Sequence, residues 1–558
     1  MGIPFFARFL ARSLTTNVMC APPAAHGSDG IVHSDRVFID FNGTIHEAAR
    51  DVMMTRMADE QQSDELEACI MQEAVDRLVQ RAQLLAPSTL LFVAIDGVPP
   101  RAKMQQQRYR RFASTWIKES LRDQRKPTSL PSSIKPNWDT NAITPGTRFL
   151  TRMNAYLKAH QDEIRDRIGV ADVLISGPDE DGEGEQKIFK FLRDNLPTGT
   201  SVDLVYGMDA DLILQALLYV DSTALHHSSG LWVVREEDKQ SDTHHTTRPP
   251  TFAFIDARRL MAGILHKYKC TAGDFALLCV LIGNDFVPRL PSINVQDGGI
   301  DVLMDARLTI LSEEKDPTKS IVDASTGTID MHLLTRVVET LAMAESSAMD
   351  KAEQRHQAAV RRIKTSRTAA TVTEDLPLMF PFPDVIQPSR PGWRPRYHHH
   401  VMHLDGGADG ASELSTVCRT YLQGVIWSFR YTAQVCLSKA WHYPFIAAPT
   451  ATDLHNFMLC HPDARNVEAA LSRLDEEEMR DELILDPVLQ LLAVLPPQSA
   501  HLLPNDETRA LMTDVRRGVM HMYPVAFDFS KYLKYKTWEC HPILPRVDVV
   551  ALKQRLVA

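Results

Sequence analysis

The sequence has 558 residues, a hydrophobic content of 44% and a formal net charge of −10, set by 61 basic and 71 acidic side chains. Its length is typical of two lobes or one elaborated domain, and its acidic balance excludes a protein that coats nucleic acid along its whole surface. The eight cysteines are scattered without a C-x-x-C pair, which favours a reducing compartment over a disulfide framework or a zinc knuckle. Because no apolar run reaches the roughly 18 to 20 residues that span a bilayer, we expect no membrane association.

Four short apolar runs each end in a carboxylate or a Gly/Asp turn, which indicates buried strands. They are RVFIDFNG, LLFVAIDGVPP, SVDLVYGMDAD and LLCVLIGNDF, starting at positions 36, 90, 201 and 277. Long helical patterns separate them, so the sequence predicts an α/β fold with a largely parallel central sheet flanked by helices. In such open sheets the functional crevice lies beyond the carboxyl ends of the strands, where these acids would sit.

Breaks in the pattern divide the chain. We predict surface loops or insertions at 21–35, 122–145, 235–250 and 312–330. Residues 335–368 are predicted to form a long polar helix, and a Pro-rich connection follows at 376–397. The predicted parts are an α/β region, a variable helix with a Pro-rich linker, and a mostly helical region that packs on the first, at 1–310, 311–400 and 401–558.

The acids that end the apolar runs, together with those of GEGEQ, form a candidate metal site. Any one of them alone is more often a helix cap or a turn residue. Several converging on one crevice would raise one another's pKa unless cations were present. Mg²⁺ and Mn²⁺ prefer oxygen ligands, and two such ions about 4 Å apart suit phosphodiester cleavage. The candidate metal acids are Asp40, Asp96, Glu183, Glu185, Asp209, Asp211 and Asp285.

The segment RAKMQQQRYRRFASTW, at 101–116, carries five basic residues and no carboxylate in this acidic chain. A helix over 101–118 would place four polar side chains within an arc of about 100° and an apolar face opposite. These four, Lys103, Gln107, Arg110 and Arg111, are called the phosphate-fork residues here, because their donors suit the oxygens of a terminal phosphate. The alternative is a solvated basic face. Asp96, five residues before the helix, favours phosphate binding next to the candidate metal acids.

The motifs occur in the order of a known family. MGIPFFARFL, IDFNGTIH, AIDGVPPRAKMQQQRYRRF, ITPGTRFL, GEGEQKI, YGMDADLIL and LIGNDFVPRLP, followed by SKAWHYPFIAAPTATDL, LLAVLPPQSAHLLP and KTWECHPILPRVD, resemble the two shared regions of the 5′-to-3′ exoribonuclease (XRN-type) family of mRNA decay. The resemblance implies a catalytic nuclease core of the PIN or flap-nuclease type in the first region. It also implies a minimal form without the long C-terminal extension of the large members.

By this resemblance, the chain is expected to degrade single-stranded RNA with a 5′-monophosphate processively from the 5′ end. Hydrolysis with two Mg²⁺ or Mn²⁺ ions would release nucleoside 5′-monophosphates. The seven candidate metal acids match the family's catalytic ligands, and the phosphate-fork residues match its 5′-monophosphate pocket. His46 and Trp441 fall where the family stacks nucleotides. We expect a monomer in the cytoplasm, with the nucleus and organelles left open by the sequence.

Several alternatives remain open at this point. A structure-specific endonuclease of the flap type shares the carboxylate chemistry but needs no terminal-phosphate pocket, and a catalytically silent RNA-binding scaffold needs no intact acids. The Arg-rich N-terminus is interpreted as a structural helix rather than a transit peptide. His398, His399, His400 and His403 could hold a transition metal, but a polar loop is favoured because no matching ligand pair is evident.

Overall fold

The structure is a computed structural model of the chain. It describes residues 6, 9–10, 18–19, 31–55, 63–124, 138–197, 199–223, 230–236, 251–314, 319–324, 326–365, 371–405, 407–462, 466–478 and 486–557. The predicted N-terminal helix and the predicted insertion at 235–250 lie mostly outside these residues. Within them, no helix is long and apolar enough to cross a membrane.

A six-stranded sheet forms the centre of the N-terminal half. Its strands are β1 (Ser34–Asp40), β2 (Pro87–Ala94), β3 (Asp172–Ser176), β4 (Val202–Tyr206), β5 (Gly230–Glu236) and β6 (Phe252–Asp256). The spatial order is β3-β2-β1-β4-β5-β6, with β6 antiparallel to β5 and the other neighbours parallel. The predicted, largely parallel sheet is therefore confirmed. The strand order reverses direction at β1, between β2 and β4, which is the position where open sheets form their ligand crevice.

Helices cover both faces of the sheet. They are α1 (Phe41–Thr55), α2 (Ser63–Leu85), α3 (Arg101–Gln124), α4 (Arg148–Ala159), α5 (Gln161–Ile168), α6 (Gly184–Asp194), α7 (Asp211–Thr223), α8 (Ala257–Tyr268), α9 (Ala272–Val280) and α10 (Gly299–Ser312). Side chains of β1 alternate between two cores: Val37 and Ile39 pack with α1, α2 and α4, whereas Phe38 packs with α6, α7 and α8. This alternation follows from the two-residue period of a strand.

One predicted strand is wrong. The apolar run that begins at position 277 lies in α9, not in the sheet. The Thr271 hydroxyl accepts the N–H of Asp274 and starts the helix, and every residue of α9 is buried. A short run that is apolar all round has no periodicity with which to distinguish a buried helix from a buried strand.

The C-terminal half is mostly helical, as predicted. It contains α11 (Met331–Thr365), α12 (Val372–Met379), α13 (Trp393–His400), α14 (Ala408–Thr432), α15 (Ala451–Cys460), α16 (Val467–Glu478), α17 (Pro487–Val494), α18 (Asp506–Thr513) and α19 (Val549–Val557), with a short ribbon of β7 (Phe529–Ser530) and β8 (His541–Pro542). The predicted long polar helix is confirmed as α11. The three-part division of the chain at 310 and 400 stays a prediction.

Helix α3 joins the two halves. Met104 and Phe112 on its apolar side share a core with leucines of α17 and α19. The helix predicted for 101–118 is confirmed and extends to Gln124. The predicted polar loop at the histidine run is wrong for 398–400, which end α13, and His398 bonds the Asp453 carboxylate at 2.8 Å.

Candidate active site

A cleft of about 360 Å³ opens at the carboxyl edge of the sheet, beside the switch point at β1. Its lining contains all four phosphate-fork residues, five of the seven candidate metal acids, and His46. These are Lys103, Gln107, Arg110 and Arg111, then Asp40, Asp96, Glu183, Glu185 and Asp209, then His46. The sheet topology thus brings together side chains that lie up to 169 positions apart in the sequence.

Two of the acids follow adjacent parallel strands. Asp40 is the last residue of β1, and Asp96 lies two residues beyond the end of β2. The carboxylate of Asp96 accepts the Asn42 side-chain amide at 3.0 Å and the backbone N–H of Gly184 at 2.7 Å. The Asn42 oxygen accepts the Asp96 backbone N–H in return. These bonds fix the Asp96 carboxylate against the start of α6.

Helix α6 presents two further acids by its first turn. Glu183 is the N-cap residue, Glu185 is in the first turn, and both side chains are buried. A glycine stands between them because a Cβ at Gly184 would lie 2.9 Å from the Asp40 carboxylate oxygen. The three carboxylates are therefore packed closely around Gly184.

The last three acids are less uniform in position. Asp209 follows β4 and lines the cleft. The described lining does not include Asp211, at the start of α7, or Asp285, in the turn after α9. Asp285 is nevertheless connected to the cleft, since its carboxylate accepts the Lys103 ammonium at 3.0 Å. The same ammonium pairs with Glu183.

Crowding and burial set the ionisation of this group. Burial, then the negative charge of Asp96, raise the pKa of Asp40 well above its ordinary value. Burial, then the charge of Asp285, raise the pKa of Asp211 to about 7. Burial lowers the pKa of Lys103, but the carboxylates of Glu183 and Asp285 outweigh it and raise that pKa well above its ordinary value. Among the described residues that line the cleft, carboxylates outnumber cationic side chains, and this crowding disfavours full ionisation of the acids.

The donor set fits a hard divalent cation. Every candidate ligand offers carboxylate oxygens, which Mg²⁺ and Mn²⁺ prefer. Within the described ranges, however, no group of three or more His, Cys, Asp or Glu side chains is arranged so that it could hold a metal ion. The oxygen donors of the acids and their crowding are the features that support a cation there.

The phosphate-fork residues line the cleft on α3. Arg110 is exposed, whereas Lys103 and Gln107 are buried. The Arg111 guanidinium reaches Asn141 at 3.4 Å, but its Nε is buried and has no hydrogen-bond acceptor among the described residues. Burial, then the charge of Arg110, lower the pKa of Arg111 to about 10, so the side chain stays cationic at neutral pH. The fork therefore keeps a buried donor for which an anion would be the natural partner.

The two predicted stacking residues occupy different places. His46 is exposed at the cleft, and desolvation by the surrounding cleft residues, then the positive charges of Arg110 and Arg111, lower its pKa, which favours the neutral ring. Trp441 does not line the cleft. Its indole is 3% exposed and stacks on Trp427 with ring centroids 5.2 Å apart. The structure therefore brings His46 to the site and leaves Trp441 in the core, and nucleotide stacking on either stays a prediction.

The sequence analysis missed several residues that shape the site. Asn42 and Asn141 hold Asp96 and Arg111, and the Tyr431 hydroxyl donates to Glu183 at 2.8 Å from α14. Asn42 lies inside the quoted IDFNG motif, so its position beside Asp40 was a usable signal. The partner of Glu183 lies 248 positions away in the chain, and no local pattern marks such a contact.

Two family models match nearly the whole chain. The model described as the XRN 5′-3′ exonuclease N-terminus matches residues 1–237. The model described as the Xrn1 helical domain matches residues 267–380 and 381–558. The chain belongs to the XRN 5′-3′ exonuclease family. The predicted family and enzyme class are confirmed.

XRN relatives from animals match over the full chain. A 5′-3′ exoribonuclease 2 from Gallus gallus is 24% identical over 100% of this chain and 70% of its own length. A 5′-3′ exoribonuclease 1 from Homo sapiens is 26% identical over 98% of this chain but only 33% of its own length. Among solved structures, the catalytic core of Rad2 in complex with a DNA substrate matches at 11% identity, covering 73% of this chain and 92% of that one, with a TM-score of 0.27.

Proposed function

We propose that this XRN-family protein degrades single-stranded RNA bearing a 5′-monophosphate, processively and from the 5′ end, and releases nucleoside 5′-monophosphates. The observation that carries the proposal is the double role of Lys103. This phosphate-fork residue lines the cleft and contacts two candidate metal acids, Glu183 and Asp285. A terminal phosphate bound on the fork would therefore lie next to the carboxylates.

The fork explains why an end would be recognised. Lys103 provides a point charge, Arg110 and Arg111 provide planar donors, and the buried Nε of Arg111 has no acceptor among the described residues. Phosphate oxygens would satisfy this donor, whereas a 5′-hydroxyl would leave it buried and unpaired at a cost of about 1 to 3 kcal/mol. A volume of about 360 Å³ also restricts what fits beside the acids. A 5′-triphosphate would place two additional phosphates in that space.

The candidate metal acids would hold two Mg²⁺ or Mn²⁺ ions. When bound, such ions supply an activated water and stabilise the leaving oxygen of a phosphodiester. The chain's own part is to hold the RNA end in register: the fork fixes the first phosphate, and the neutral ring of His46 offers a face for a base. Asn42 and the N-terminus of α6 keep the Asp96 carboxylate in place meanwhile.

The test compares three copies of one RNA, with a 5′-monophosphate, a 5′-triphosphate or a 5′-hydroxyl, each with and without Mg²⁺. We expect rapid decay of the monophosphorylated copy only, dependent on Mg²⁺, with nucleoside 5′-monophosphates as products. Equal rates for the three ends would contradict the phosphate assignment. A circular RNA of the same sequence should resist the enzyme, and its cleavage would instead favour the flap-type endonuclease.

The assignment of the acids has its own test. Asp209→Asn combined with Asp211→Asn should abolish decay while binding of the monophosphorylated RNA survives. Asp194→Asn, which changes an exposed acid on α6 outside the cleft, is the matched control and should keep full activity. Undiminished decay by the double variant would refute the role of these two acids. If the wild-type protein itself did not degrade the RNA, the silent scaffold would be favoured.

A further inference from the structure

Tyr431 connects the C-terminal half to the acids of the cleft. It lies in the last turn of α14, and its side chain is 5% exposed. The hydroxyl donates a hydrogen bond of 2.8 Å to Oε1 of Glu183, in the N-terminal half. A helix outside the sheet region therefore touches a candidate metal acid directly.

Aromatic packing fixes the position of this hydroxyl. The Tyr431 ring stacks on Trp427, one turn earlier in α14, with ring centroids 4.8 Å apart and planes 11° apart. Phe286, next to Asp285, meets the same ring edge-on at 5.4 Å. Trp427 is itself held, because its indole N–H donates to the Ser438 carbonyl at 2.7 Å. The ring is thus enclosed on two sides, and its hydroxyl has one direction in which to point.

The Glu183 carboxylate is consequently held at both oxygens. Oε1 accepts from the Tyr431 hydroxyl, and Oε2 pairs with the Lys103 ammonium. The two donors differ in kind, since the hydroxyl is neutral and rigidly placed whereas the ammonium ends a long side chain that also serves the phosphate fork. If Lys103 turns toward a phosphate, the bond from Tyr431 is the one that keeps the carboxylate oriented.

We infer that Tyr431 is a positioning residue that orients Glu183 for divalent-cation binding, so that the C-terminal half completes the active site. The inference rests on the proposed function, in which Glu183 is a metal ligand. Hydrogen bonds to ligating carboxylates fix their orientation, and loss of such a partner typically lowers metal affinity 10- to 100-fold. Tyr431 would act through Glu183 and would not touch RNA.

The experiment uses Tyr431→Phe, which removes only the hydroxyl, in the full chain without RNA. Its matched control is Tyr421→Phe on the same helix, where a fully buried hydroxyl donates to the Pro288 carbonyl at 3.1 Å. Mn²⁺ binding is measured by electron paramagnetic resonance. We expect the Kd for Mn²⁺ to rise about tenfold in Tyr431→Phe and to stay unchanged in Tyr421→Phe. The Mg²⁺ concentration for half-maximal RNA decay should rise in parallel.

Glu183→Gln separates the possible failures. If Glu183→Gln weakens Mn²⁺ binding but Tyr431→Phe binds Mn²⁺ as the wild type does, the positioning role is refuted while the metal assignment survives. If Glu183→Gln also binds Mn²⁺ normally, the metal role of Glu183 in the proposed function fails as well. An equal loss of Mn²⁺ affinity in both Phe variants would show a general packing effect, and this outcome would likewise overturn the inference.

Discussion

The Lys103 ammonium lies 3.0 Å from the Asp285 carboxylate, with both side chains less than a tenth exposed. The same ammonium also pairs with Glu183. Lys103 is therefore both a phosphate-fork residue and a cationic partner of the buried acids. Removing one partner of a buried pair leaves an uncompensated charge, which costs more than an exposed ion pair ever contributes.

This arrangement predicts the behaviour of Lys103→Met. Without divalent cations, its free energy of unfolding should fall by about 3 to 5 kcal/mol, because Glu183 and Asp285 each lose a buried cationic partner. Mg²⁺ should restore more stability to this variant than it adds to the wild type, since a bound cation would replace the missing charge. Urea unfolding with EDTA or with Mg²⁺ measures both effects. Lys190→Met, an exposed lysine on α6, is the control, and equal stability of Lys103→Met in EDTA would contradict the prediction.

Substitutions of Arg108 and Arg110, two positions apart on α3, should affect different properties of the protein. Arg108 is 1% exposed and donates to the carbonyls of Ala493 and Met522, whereas Arg110 is exposed in the cleft. Arg108→Met should lower the free energy of unfolding by about 2 to 3 kcal/mol, because two buried carbonyls lose their donor. It should leave the preference for a 5′-monophosphate unchanged.

Arg110→Met should show the opposite pattern. Its effect on stability should stay within about 0.5 kcal/mol, as for most exposed substitutions, while the preference for a 5′-monophosphate over a 5′-hydroxyl falls. Thermal unfolding and the end-comparison assay, run on both variants, check the pair. A loss of end preference in Arg108→Met at normal stability would reverse the assignments.

The sequence predicted the site better than it predicted the contacts between the halves. Acids that end strands, and an arc on a helix, are local patterns, so Asp40, Asp96 and the fork could be placed from the chain alone. Arg108 illustrates the limit, because its position off the arc showed only that it does not belong to the fork. The pattern did not show that Arg108 donates to the carbonyls of Ala493 and Met522, which lie 385 and 414 positions further along the chain. Tyr431 lacks any local signal for the same reason.

The fold, too, was predicted correctly only where a local sequence pattern distinguished the elements. The runs that end at Asp40, Asp96 and Asp209 became strands or their carboxyl ends, because parallel strands share an edge. The run before Asp285 became α9 instead, since a buried helix and a buried strand are both apolar all round. Its acid still reaches the cleft through Lys103.

A pH effect is expected from a second group of acids. Glu353 on α11 accepts a hydrogen bond from the Tyr532 hydroxyl and lies beside Asp384. Burial, then the charge of Asp384, raise the pKa of Glu353 to about 7. Because this pKa is raised on folding from an unfolded value of about 4.3, the folded protein holds the proton more tightly. Its contribution to stability is full below about pH 4.3 and is lost as the pH rises through 7.

Glu353→Gln should remove this pH dependence. An amide keeps a neutral donor toward Asp384, so the thermal midpoint of the variant should fall less than that of the wild type between pH 5 and pH 8. Glu339→Gln, on the same helix, is the control and should keep the wild-type slope. Parallel curves for the wild type and Glu353→Gln would show that Glu353 is ionised in the folded protein throughout this range.

His46 and Trp441 are both expected to stack on nucleotides, but their substitution should have different effects on the stability of the protein. Trp441 is buried against Trp427, so Trp441→Ala should lower the free energy of unfolding by about 3 to 5 kcal/mol. His46 is exposed in the cleft, so His46→Ala should leave stability nearly unchanged but weaken binding of single-stranded RNA by about 1 to 3 kcal/mol. Fluorescence anisotropy with a 5′-monophosphorylated RNA measures the binding, with His399→Ala as an exposed control outside the cleft. If folded Trp441→Ala loses the same affinity at normal stability, the indole must leave the core to meet RNA, and the stacking expected from the family resemblance would hold for both residues.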